Sequence, residues 1–302
     1  MTDGDIIHIL EEAGPLTGAE LVDRTRMEVY ALWHACKRSP AVRFEIIGKR
    51  FLRLDRVVQG YARLSPSIRR EFLTYTLVGL ESQTEEISRK SQTLREDIRR
   101  ISRDKLTLAR ESIAAAMATL PGKEAILPAV CCIIAGDITY EMSHLVPRPE
   151  KSTGELVRGS DLDIIVIVEN DLPVEAARML DKAIYKKKHY LLVHPDYREE
   201  IDYILKDFNR VMEQLRFDTF ESMVACKILD EGEFLYGSSS VFEAVKRLVA
   251  EHGIRERLRE METQAINSRC QAETRLLELE GDLSESEAYH LFYTREEGEE
   301  IY

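Results

Sequence analysis

Five cysteines in 302 residues, with no C-x-x-C pair among them, leave little from which to build a disulfide framework or a structural zinc site. Cys36, Cys226 and Cys270 stand alone, and the adjacent Cys131 and Cys132 lie inside an apolar run. Reduced thiols in a cytoplasmic protein are the expectation. The seven histidines include no pair at H-x-x-x-H spacing, so none is assigned to a metal. No apolar run approaches the roughly 18 residues of a membrane span, and no membrane partner is expected. The opening MTDGDIIHILEEAG is acidic and lacks a basic stretch ahead of an apolar one, so no secretory signal is expected. There is no internal repeat. A net charge of −12 makes the chain a poor generic binder of nucleic acid.

Hydrophobic residues make up 44% of the chain, enough for real cores, and the length suggests two domains with helical extensions. Four regions are distinguished. Residues 1–60 open with DIIHILEEAG, a short amphipathic helix ending at Gly14. LTGAELVDRTR follows, with Thr17 as its N-cap. EVYALWHACKRS is apolar at Val29, Leu32, Trp33 and Cys36, a helical spacing, and Pro40 ends it. VRFEIIGKRFLRLD predicts two short strands about a Gly48-Lys49 turn. Three helices followed by a β-hairpin resemble a winged helix-turn-helix domain, which implies binding of nucleic acid or of protein. Residues 1–70 carry 12 Lys and Arg against 9 Asp and Glu, so this part is locally basic. Lys37 and Arg38 near the end of the third helix, and Lys49, Arg50 and Arg53 in the hairpin, are the candidate nucleic-acid contacts.

Residues 61–120 predict mostly helix, a connector. Leu80, Ile87, Leu94, Ile101 and Leu108 recur every seven residues. At the companion positions Thr84, Ser91 and Lys105 are polar and only Ile98 is apolar, whereas a strong coiled coil wants two apolar positions per heptad. A long helix with a narrow apolar stripe is expected, packed within the chain or forming a homodimer seam over residues 80–108. Pro121-Gly122 breaks it. Residues 121–240 alternate strands with helices: AVCCIIAG and GSDLDIIVIVEN as apolar strands, PVEAARMLDKAIYKK as a helix, and EEIDYILKDF as a further strand. Residues 241–302 predict a helical C-terminal region with an acidic, solvated tail. The fold class expected is a mixture of α+β and α/β with a mixed sheet in the third region.

Asp161 and Asp163 stand at the mouth of the apolar run Ile164 to Val168. Residues i and i+2 of a strand point to one face, so the two carboxylates project together. Left alone they repel and are costly to desolvate. A bound divalent cation removes that conflict, and Mg²⁺ prefers hard oxygen ligands such as these.

The stretch IIAGDITYEMSHLVPRPEKSTGELVRGSDLDIIVIV, read whole, resembles the nucleotidyltransferase superfamily of DNA polymerase β. Gly136 ends the first strand, Thr153-Gly154-Glu155 matches the family's loop, and Ser160-Asp161-Leu162-Asp163 matches its carboxylate signature. The resemblance covers roughly residues 123–236. It implies Mg²⁺ (or Mn²⁺) held by Asp161, Asp163 and a third carboxylate, carried to Asp202, with Glu200 as the runner-up. It implies an NTP substrate, cradled near Gly136, Asp137, Gly159, Ser160 and Arg158, and transfer of a nucleoside monophosphate with release of pyrophosphate. Two departures stand out. Asp137 occupies the family's serine position, and Gly136 to Gly154 spans 18 positions, with SHLVPRPEKS inserted. The alternative function is a DNA-binding regulator whose transferase domain only senses nucleotide.

Overall fold

A computed structural model describes residues 3–279, 283–284 and 287–302. The chain is a mixed α+β protein that divides into two compact units. Residues up to 98 together with 261–300 and 302 form the first, and 99–260 with 301 form the second. Among the described residues no helix is long and apolar enough to cross a membrane.

The first unit runs α1 (Asp3–Ala13), β1 (Leu16–Thr17), α2 (Gly18–Thr25), α3 (Val29–Arg38), β2 (Val42–Ile46), β3 (Phe51–Leu54), β4 (Ala62–Ser65), α4 (Ile68–Tyr75) and β5 (Thr76–Leu80). Thr17 caps α2 as expected: its hydroxyl accepts from the Glu20 N–H while the Glu20 carboxylate accepts from the Thr17 N–H. The stripe on α3 is buried at Leu32, Trp33 and Cys36.

The two strands predicted about Gly48-Lys49 form, but not with each other. β2 lies antiparallel on β5, with Phe44 opposite Val78, and β3 pairs with β4. The three-stranded sheet has the order β1-β5-β2. Every residue of β5 is buried, and a continuously apolar strand takes the central place of a sheet. The segment from β3 to α4 is therefore an insertion between two paired strands. The core of this unit draws Tyr30, Trp33, Phe72 and Val78 together with Leu276 and Phe292 from the C-terminal part. Tyr30 also donates its hydroxyl hydrogen to the Leu276 carbonyl at 2.8 Å.

α5 (Thr84–Ala118) is the long helix expected. Its most buried seam is the companion series. Ser91, Ile98, Lys105 and Ser112 are buried, as is Ile87, while Leu94, Ile101 and Leu108 are half-buried. Serines let a helix approach its neighbours closely: Ser102 Oγ accepts from the Ser143 N–H at 3.0 Å.

The second unit continues with α6 (Lys123–Ile126), β6 (Val130–Ala135), β7 (Pro147–Pro149), β8 (Leu156–Arg158), β9 (Leu162–Val168), α7 (Val174–Val193), β10 (Ile201–Asp207), α8 (Phe208–Gln214), α9 (Phe220–Glu231), β11 (Glu233–Gly237), α10 (Ser239–Glu251) and α11 (Ile254–Glu278), whose later part belongs to the first unit. Four strands form a mixed sheet in the order β10-β9-β6-β11. β9 and β10 are parallel and joined through α7, as parallel neighbours require a crossover. β6 runs antiparallel to β9 and to β11. One face of the sheet, with Leu162, Ile164 and Val166 of β9, packs on Ala109, Ile113 and Met117 of α5 and on Leu180 and Ile184 of α7. The other face meets α8, α9 and α10. Within EGEFLYGSSS, Glu233–Gly237 supplies the edge strand β11.

Candidate active site

Asp161 and Asp163 flank Leu162 where β9 begins. Asp163 is in register with Asp202 on β10 and with Ala135 on β6. Register partners on adjacent parallel strands stand about 4.8 Å apart and point to one face, so Asp163 and Asp202 project side by side. Gly136 follows β6 directly, with φ +73°. A Cβ at Gly136 would lie 2.1 Å from Oδ2 of Asp163. Only glycine leaves room there for the carboxylate.

Asp163 sits in an anionic field. Loss of water, then the charges of Asp161, Asp137, Asp202 and Glu231, hold its carboxyl well above the usual carboxylate range. Asp202, exposed at the edge strand, is also raised. Loss of water lifts it, Lys188 opposes the rise, Asp161 adds to it, and Lys151 opposes it again. The donors are all carboxylate oxygens, the chemistry that suits Mg²⁺ or Mn²⁺. Among the described residues, no three His, Cys, Asp or Glu side chains close into a ready-made metal cage. The carboxylates crowd one end of the sheet without converging on a point.

The remaining candidates of this region fall around the same strand end. Asp137 accepts the Ser160 hydroxyl at 2.7 Å on Oδ2. Ser160 is itself tied twice to His144, donating its N–H to the His144 carbonyl at 3.1 Å and accepting the His144 N–H on Oγ at 3.2 Å. Gly159 has φ +64°, and a Cβ on it would lie 1.9 Å from the His144 carbonyl oxygen. The inserted segment is thus built into the site through His144. Thr153-Gly154-Glu155 lies in the turn of the β7–β8 hairpin, where Glu155 pairs with Arg198. Arg158 is exposed. The Gly136 N–H, expected to face a phosphate, points at Glu231 Oε1 at 3.4 Å.

Three side chains that were not anticipated shape the site. Arg148 of β7 donates from Nε to the Gly159 carbonyl at 3.0 Å, and its Nη atoms lie 3.5 Å from Asp161 and 2.8 Å from Glu200. Glu200 is thereby engaged by an arginine, while Asp202 is the register partner of Asp163. Glu231, at the end of α9, accepts from Tyr140 at 2.6 Å and pairs with Lys227. Lys105 of α5 is buried against Glu199 and the Arg158 carbonyl. An open groove of about 700 Å³ lined by Leu127, Pro128, Phe234 and Tyr236 lies elsewhere, at the Gly237 end of β11, which faces Cys131 rather than Gly136.

In the first unit the candidate nucleic-acid residues do not form one wing. Lys37 stacks its ammonium over the Phe44 ring at 4.5 Å, and Arg38 and Lys49 are exposed. Arg50 pairs with Glu71 at 2.6 Å and with Glu273 at 3.0 Å. Arg53 lies on β3 opposite Arg63 of β4.

Comparison with family models, with curated proteins and with solved structures gives no match to this chain.

Proposed function

We propose that the second unit is a divalent-cation-dependent nucleotidyltransferase that moves a nucleoside monophosphate from an NTP to an acceptor. The observation that carries this reading is the alignment of Asp163 with Asp202 on adjacent strands, beside Asp161 and against Gly136. Four neighbouring carboxylates destabilise the Asp163 charge, a conflict that a bound divalent cation would relieve. Mg²⁺ or Mn²⁺ bound there supplies positive charge for the triphosphate and the departing pyrophosphate. Asp202, the most exposed of the three, takes the proton as the acceptor oxygen attacks the α-phosphorus. The bond from that phosphorus to the bridging oxygen breaks, and pyrophosphate leaves. The resemblance to polymerase β-like transferases supports the same assignment.

We read α1–α3 with the β1-β5-β2 sheet as a winged-helix-like module whose third strand comes after an inserted hairpin and helix. Its partner is nucleic acid or protein. The test of the whole reading is incubation of the full chain with each labelled NTP and Mg²⁺, with and without total cellular RNA. Label should appear on RNA, on the protein or on a small molecule, together with pyrophosphate. NTP binding without transfer makes the protein a nucleotide sensor. No binding and no transfer overturns the proposal.

A further inference from the structure

Lys105 lies on α5, outside the strand-and-loop region that carries the carboxylates, in a seam position where an apolar residue is the ordinary choice. It is only 3% exposed. A buried ammonium is costly unless its donors are used. Two are used: Nζ donates to Glu199 Oε2 at 2.6 Å and to the Arg158 carbonyl at 2.8 Å. Those oxygens belong to two separate segments. Arg158 leads through Gly159 and Ser160 into Asp161 and Asp163. Glu199 leads through Glu200 into Asp202. The backbones of the two segments already meet, with the Arg158 N–H donating to the Arg198 carbonyl at 2.9 Å and the Leu162 N–H to the Glu200 carbonyl at 2.9 Å. Lys105 adds a side-chain tie across the same junction and anchors it to a 35-residue helix.

We propose that Lys105 is the positioning residue of the candidate site: by bridging Arg158 and Glu199 it sets the separation of Asp161 and Asp163 from Asp202. The inference rests on the reading of those carboxylates as the cation site. It requires no contact between Lys105 and substrate. The tie to a main-chain carbonyl matters more than the ion pair, because only the carbonyl belongs to the segment entering β9. Glu199 is the other end of the bridge, on the segment that leads into β10, and it also keeps the buried charge neutral.

The full-length protein is compared with Lys105→Met, Glu199→Gln and the Lys105→Met/Glu199→Gln double variant. Melting temperature, Mn²⁺ affinity by electron paramagnetic resonance, and hydrogen exchange of residues 158–163 and 199–203 are measured on each. Lys105→Met should melt lower, bind Mn²⁺ at least tenfold more weakly, and lose protection in both segments together. The double variant removes both buried charges, so its melting temperature should largely recover. Its Mn²⁺ affinity and exchange should not, since the tie to Arg158 is still missing. Recovery of all three readouts in the double variant, or unchanged Mn²⁺ affinity in Lys105→Met, makes Lys105 a stability residue and overturns the inference. If the wild-type chain binds no Mn²⁺, the cation reading fails. The exchange data then decide the positioning role by themselves: joint loss of protection in both segments supports it, and loss confined to α5 overturns it.

Discussion

Replacing Gly136 by alanine tests the close approach on which the candidate site is built. Two costs are separable. A left-handed backbone, here φ +73°, penalises any L side chain by about 1–2 kcal/mol. The new Cβ also falls 2.1 Å from Asp163 Oδ2, where contacts below 3.0 Å are essentially never seen, so something must yield by about 0.9 Å. The Asp163 carboxylate has a poor choice of retreat, with Asp161, Asp137, Asp202 and Glu231 all acting on it electrostatically. Overpacking of this kind costs about 1–3 kcal/mol more. Gly122→Ala is the matched control, because Gly122 has φ +64° with nothing within 4 Å of an added Cβ. At roughly 2–4 °C per kcal/mol for a unit of this size, Gly136→Ala should melt about 2–12 °C below Gly122→Ala. A displacement of about 1 Å at a reacting centre costs on the order of a hundredfold, so transfer should fall by that much in Gly136→Ala and stay unchanged in Gly122→Ala. Calorimetry and Mn²⁺ titration of the two variants are sufficient. Equal melting temperatures and equal Mn²⁺ affinities would refute the reasoning.

Asp161→Asn and Asp163→Asn should each abolish Mn²⁺ binding and transfer with the fold intact; wild-type Mn²⁺ affinity in either variant removes that residue from the site. Asp163 has a further signature. Its folded carboxyl is raised above the ordinary value of 3.8, so the cation-free protein loses stability as pH rises from 3.8 through the raised value. Asp163→Asn should flatten that part of the pH–stability curve and raise the neutral-pH melting temperature, and an unchanged curve counts against the crowding described. Asp202→Asn should lower turnover at least a hundredfold and leave NTP affinity within about threefold. Collapse of NTP binding with preserved turnover per complex makes Asp202 a ground-state ligand instead. Glu297 in the first unit shows the opposite pH response. Burial acts to raise its carboxyl, but the charges of Arg70 and Arg53 and hydrogen bonds from Ser67 outweigh it and hold the carboxyl well below 4.5. The stability it contributes is complete above 4.5 and lost as pH falls below that value, so Glu297→Gln should cost about 3–5 kcal/mol at neutral pH and flatten the acid limb. Arg50→Ala should destabilise the first unit by about 1–3 kcal/mol through the loss of one of Glu71's partners, and a drop in nucleic-acid affinity with no change in melting temperature counts against that pairing as its main role.

Local pattern was enough to read most elements and to single out the start of β9. Thr17, the α3 stripe, the length of α5, the apolar strands β6 and β9, and the placement of Asp161 and Asp163 at the start of β9 all follow from nearest-neighbour chemistry: capping, helical spacing and apolar runs. Asp202 was legible as a strand carboxylate. That it stands in register with Asp163 is a matter of strand pairing between residues 39 positions apart, which no local pattern encodes. The same limit explains the hairpin about Gly48-Lys49. Two adjacent strands with a turn between them look paired, but the fully buried β5 competes for β2 and wins on burial. It also explains α5, where Ser91 and Lys105 leave the companion positions polar in sequence. Ser91, Lys105 and Ser112 are buried because small hydroxyls fit a tight interface and because Glu199 and the Arg158 carbonyl satisfy the one buried ammonium. Charge is the least legible property of all. Arg50 and Arg148 are both arginines in polar stretches, yet tertiary structure gives one to Glu71 and the other to Asp161 and Glu200. A side chain's partners depend on which segments the fold brings within a few ångströms, and Coulomb energy at that range is decided by distance and dielectric rather than by position along the chain.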